Sequence, residues 1–88
     1  MPADETQSIP AELTAWTAQV LAALGLSDDD APDAAVLLDL TREVAHQVTR
    51  TAGPLTCYLV GLAAARRGGR PDDLTQAVAQ VRALVAGP

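Results

Sequence analysis

The chain has 88 residues, a net charge of −5 and 49% hydrophobic side chains, which bounds it to one globular domain with one core and argues against compositional disorder. The acidic balance excludes general nucleic-acid binding, which needs a basic surface to displace counterions. A single Cys, an acidic and polar start without a signal pattern, and a longest apolar stretch (Leu55 to Ala65) about half the length of a membrane span together predict a soluble, cytoplasmic protein.

One Trp, one Tyr and no Phe leave an aliphatic core of Leu, Val and Ala. Residues 1–7 are polar and read as a flexible segment, so the helical domain spans 8–88. Ser8 is placed to cap a first helix, with Pro10 and Glu12 in its first turn. Ile9, Leu13, Trp16, Val20, Leu21 and Leu24 recur at helical spacing, and Gly25 with Leu26 forms a stop signal. Residues 27–31 read as an acidic connection. Pro32 then marks a second helix, with Leu37, Leu40, Val44 and Val48 as its apolar stripe and Asp39, Glu43, His46 and Arg50 on another face. After a break at 51–53, Pro54 opens a third helix through about Arg66. It is apolar nearly all round, so it is expected to be the most buried. Gly68 and Gly69 end it. Pro71, Asp72 and Asp73 open a fourth helix with Leu74, Ala77, Val78, Val81, Leu84 and Val85 as its stripe. The expectation is all-α: a compact four-helix bundle with short loops. A homodimer is the alternative use for spare apolar surface on helix 3.

Charge is unevenly placed. Residues 1–41 hold eight acidic and no basic side chains, whereas 42–88 hold six Arg and three acids. Either the halves attract one another, or the Arg-bearing half takes an anion or an acidic partner.

Much chemistry is missing. One Cys and one His fall short of a zinc set. No glycine-rich phosphate loop is present, and Pro32, Asp33 and Asp39 break the EF-hand pattern begun at Asp28. No metal or cofactor is expected. What remains is the turn between helices 2 and 3. His46 and Arg50 lie one turn apart, and Pro54, Leu55, Thr56 and Cys57 form a first helical turn whose N–H groups lack helical acceptors. Such a helix start, with Arg, His and Thr beside it, suits a phosphate or carboxylate. The plainer reading is that Arg50 caps helix 2, Thr56 bonds locally and His46 is structural. Cys57 reads as a core thiol rather than a nucleophile. Asp39, Glu43 and His46 read as a solvated or salt-bridged face rather than a metal site. Trp16 and Tyr58 are core residues or partner anchors.

The run Leu38-Asp39-Leu40-Thr41-Arg42-Glu43-Val44-Ala45-His46-Gln47-Val48-Thr49-Arg50, followed by Gly53-Pro54-Leu55-Thr56 and Leu59-Val60-Gly61-Leu62-Ala63-Ala64, resembles a small actinobacterial helical domain of unknown function. That domain occurs alone or fused to proteins similar to molybdopterin-guanine dinucleotide nucleotidyltransferases. The resemblance covers most of the chain. His46, Arg50, Pro54, Leu55 and Thr56 match its pattern, whereas Gly53, Cys57 and Tyr58 depart from it. It implies an accessory role near molybdenum-cofactor biosynthesis or insertion and no enzymatic activity.

Three readings follow. The first is a non-catalytic accessory module whose partner is a protein such as a molybdenum-cofactor nucleotidyltransferase or a molybdoenzyme. The second is a binder of a phosphorylated small molecule at the start of helix 3. The third is an enzyme using His46 as acid or base. An exposed apolar patch on helix 3 or around Trp16 favours the first; a concave pocket of His46, Arg50 and Thr56 favours the second.

Overall fold

The computed structural model describes residues 9–87. The expected flexible segment 1–7 and the Ser8 cap lie outside them. Four helices and no strand are present among the described residues: α1 (Ala11–Ala23), α2 (Ala34–Gln47), α3 (Ala52–Arg67) and α4 (Pro71–Ala86), with a short 3-10 turn at Asp28–Asp30. The all-α class is as the sequence predicts. The chain divides into two units, one through Ala35 and one from Val36 onward.

In the first unit, Pro10 stands at the N-cap of α1. Its carbonyl accepts the N–H groups of Leu13 at 3.0 Å and Thr14 at 3.2 Å. At the other end, Gly25 takes a positive φ of 73°, open to glycine at no steric penalty. Its N–H donates to Ala22 O at 3.2 Å, and that of Leu26 to Leu21 O at 2.8 Å. This crossed pair satisfies carbonyls that the helix end leaves over. The acidic connection is more ordered than expected. The Ser27 N–H and hydroxyl both donate to Asp30 Oδ2, at 2.9 and 3.2 Å, and close the residues into a 3-10 turn. Consequently α2 starts at Ala34, two residues after Pro32.

In the second unit, Leu40 and Val44 of α2, Val60 of α3, and Ala77 and Val78 of α4 form one buried cluster. Leu40 is fully enclosed, at 0% exposure. Burying an aliphatic side chain of this kind contributes roughly 1.5–3 kcal/mol, so these few residues dominate the unit's stability. Leu37, Leu74, Val81 and Val85 pack around them. Each comes from the stripe that periodicity assigns to its helix. The hairpin of α3 and α4 turns at Gly68 and Gly69, where the Gly69 N–H donates to Ala64 O at 2.9 Å. Across it, Arg70 precedes α4, and its N–H donates to Asp73 Oδ2 at 3.0 Å.

The expectation that helix 3 is the most buried is not confirmed. Only Gly53, Val60 and Ala64 of α3 are buried, while Leu55, Tyr58 and Leu59 are exposed. The buried positions follow one stripe at steps of seven and four. Side chains of α2 and α4 share the core with that stripe, and the opposite face has no helix of this unit to meet. Composition alone therefore overstated its burial.

Candidate functional site

The turn from α2 to α3 is built by backbone hydrogen bonding. Val44 O accepts the N–H groups of Val48 at 2.8 Å and Thr49 at 3.2 Å. The chain then turns, and the N–H groups of Ala52 and Gly53 donate to Thr49 O at 3.1 Å and Arg50 O at 3.3 Å. The third residue of α3, Pro54, has no N–H. The helix therefore starts two residues before Pro54, with its leading donors already used. An anion at this end would find few free N–H groups.

His46 and Arg50 are exposed, and their side chains make no hydrogen bond or ion pair among the described residues. Leu55 is exposed and Thr56 half-buried. Thr56 lines a groove between α3 and α4, along with Gln80 and the apolar side chains of Leu59, Val60, Ala63, Ala77, Val81 and Leu84. Neither His46 nor Arg50 lines that groove, whose volume is about 310 Å³. Its walls are apolar except for the Thr56 hydroxyl and the Gln80 amide.

The carboxylates of the polar α2 face are engaged. Arg42 Nη2 donates to Asp39 Oδ1 at 2.6 Å. Arg82 reaches across from α4 to donate to both Glu43 oxygens, at 3.0 and 2.7 Å. The Glu43 hydrogen bond is the main cause that holds the Arg82 guanidinium above its ordinary pKa. Coulombic attraction to Glu43 and Asp39 adds to it, and partial desolvation opposes it. Sequence reasoning left Arg82 without a role, because its partner lies 39 residues away on another helix. Among the described residues, no three His, Cys, Asp or Glu side chains converge as metal ligands would.

Cys57 is half-buried. Its Sγ lies 3.2 Å from the Thr41 hydroxyl, which also donates to Leu37 O at 2.8 Å. The thiol is thus part of the α2–α3 packing.

The surface holds both aromatic side chains. Trp16 on α1 is 60% exposed and Tyr58 on α3 is 69% exposed. Leu55 and Leu59 share the Tyr58 face, and Leu84 at the groove rim is 80% exposed. Gly61, one turn beyond Tyr58, is also exposed, and a Cβ there would meet nothing within 4 Å. No helix among the described residues is long and apolar enough to cross a membrane.

A family model described as a domain of unknown function (DUF6457) matches residues 8–88. No curated protein and no solved structure matches the chain.

Proposed function

The chain belongs to that family of unknown function, and because membership brings no activity with it, we propose from the surface that this is a non-catalytic helical interaction module. The observation that carries the reading is the exposure of Trp16 and Tyr58. Aromatic side chains are expensive to leave in water and are the usual anchors of protein interfaces. Here neither belongs to the aliphatic core, and Tyr58 has the exposed Leu55 and Leu59 beside it on α3. The sequence resemblance directs the search for a partner to cytoplasmic molybdenum-cofactor nucleotidyltransferases and molybdoenzymes, beside which the module acts as an accessory.

The single tryptophan supplies the test. The purified chain is mixed with a molybdopterin-guanine dinucleotide nucleotidyltransferase, and the emission of Trp16 is followed. A saturable blue shift that weakens when Trp16 is kept and Tyr58 is changed to Ala supports a partner spanning both surfaces. A blue shift indifferent to Tyr58 supports one anchored at α1. Catalytic turnover lost on His46→Ala with the fold intact would overturn the reading and reinstate the enzyme alternative.

A further inference from the structure

We infer that the groove between α3 and α4 takes the apolar stripe of an amphipathic helix from a partner protein, whose carboxylates, one turn beyond that stripe, meet Arg66 and Arg67. The inference deepens the interaction-module reading and rests on it. Buried Val60 and Ala77 lie at the bottom of the groove, and exposed Leu59 and Leu84 stand at its rims. The hairpin thus leaves a large aliphatic side chain in water on each side of one apolar channel. On α3 the groove runs from Thr56 to Ala63, two helical turns or about 10 Å. A third helix laid along two others fills such a channel with apolar residues at i, i+4 and i+7.

Charge identifies the kind of helix. From Val36 onward the chain carries six Arg and four acidic side chains. Asp39, Asp73 and Glu43 are engaged by Arg42, Arg70 and Arg82. The fourth acid, Asp72, stands five residues before Ala77, about 140° round α4 from it and away from the groove. Arg66 and Arg67 are exposed and make no side-chain hydrogen bond or ion pair among the described residues. Arg67 follows Val60 and Ala63 at seven and four residues, and Arg66 follows Leu59 and Ala63 at seven and three. Both therefore continue rows that line the groove. At the other end, the turn of α3 before Thr56 carries no charge. The channel is thus apolar for two turns and then cationic. A carboxylate placed there meets two guanidinium forks, whereas a basic side chain in its place is repelled.

A synthetic peptide tests this. The probe is an alanine- and glutamine-rich helix of about 18 residues, blocked at both termini, with Leu at i, i+4 and i+7 and Glu at i+10 and i+11. Followed by NMR, it should shift the amides along the groove saturably, with a Kd on the order of 100 µM. Leu59→Gln or Leu84→Gln should weaken binding at least about tenfold. Arg66→Gln combined with Arg67→Gln should weaken it about fivefold. A peptide with Gln in place of both Glu should lose as much, and the two changes together should cost no more than either alone. All four side chains are exposed, so helicity by circular dichroism should hold. No saturable shift at about 1 mM peptide, or equal affinity for the Glu and Gln peptides, overturns the inference. So does decanoate binding the groove more tightly than the peptide, which would assign it to an anionic acyl chain. If the groove fails these tests while Trp16 still responds to the nucleotidyltransferase, the interaction-module reading survives without it. If the peptide binds and Trp16 stays silent, the groove stands and that partner falls.

Discussion

The Thr41 methyl of α2 lies 2.9 Å from where a Cβ on Gly53 would stand. The threonine cannot easily turn away, because its hydroxyl is bonded to Leu37 O and rests against Cys57 Sγ, and β-branched side chains in helices have few rotamers. Gly53→Ala should therefore destabilise the fold by about 1–3 kcal/mol despite the better helix propensity of Ala. Thr41→Ser removes the methyl and keeps the hydroxyl, so the double variant should recover most of the loss. Urea denaturation of the three variants checks this; equal stability of Gly53→Ala and wild type would show that the contact is soft.

Gly61 is the contrasting case. It sits mid-helix, without a positive φ, and has open space around it. Gly61→Ala should stabilise the fold by up to about 1 kcal/mol, through propensity and a less disordered unfolded chain. Thermal melts measure it. A loss of stability there would mean that the helix needs glycine for a reason internal to the chain.

The Arg82–Glu43 pair is bidentate yet mostly solvent-facing, with side-chain exposures of 44% and 38%. Breaking it with Arg82→Ala should lower stability by no more than about 1 kcal/mol, and less at high salt. Its raised pKa means that the favourable charge state is fully present below the ordinary guanidinium range and is lost only as pH climbs past it. Alkaline titration through the physiological range should leave this contribution unchanged. A double-mutant cycle with Glu43→Gln reads the coupling, and a value near zero would reduce the pair to a geometric coincidence.

With the Ala52 and Gly53 N–H groups donated to Thr49 and Arg50, phosphate and nucleotides should give no saturable amide shifts at His46, Arg50 or residues 54–57. An NMR titration to millimolar ligand decides this. Saturable shifts there would restore the phosphorylated-ligand reading, with the exposed His46 and Arg50 side chains contacting the ligand.

Periodicity found α2 and α4 most clearly because each has one wet and one dry face: Leu37, Leu40 and Val44, or Leu74, Ala77, Val78 and Val81, recur at spacings that only a helix aligns. Gly25, Gly68 and Gly69 marked helix ends through chemistry local to a few residues. What the sequence left hidden has a different origin. Ser27 and Asp30 closed a turn where only an acidic run was apparent, because capping depends on one rotamer. The outward face of helix 3, with Leu55, Tyr58 and Leu59, was hidden because hydropathy counts apolar residues without knowing how many neighbours a helix has. The start of α3 at Ala52, two residues before Pro54, was not legible because it depends on where the Thr49 and Arg50 carbonyls point. Arg82 was invisible for want of any local signal linking it to Glu43.

The placement of Trp16 and Tyr58 outside the aliphatic core has a spectroscopic consequence. The usual optical signatures of a tightly packed interior, near-ultraviolet circular dichroism and shielded tryptophan emission, should be nearly silent in the native chain. By those signatures a well-ordered protein would pass for a molten globule. Slow amide exchange at Leu40, Val44 and Val60 is the observable that reports the order of this core.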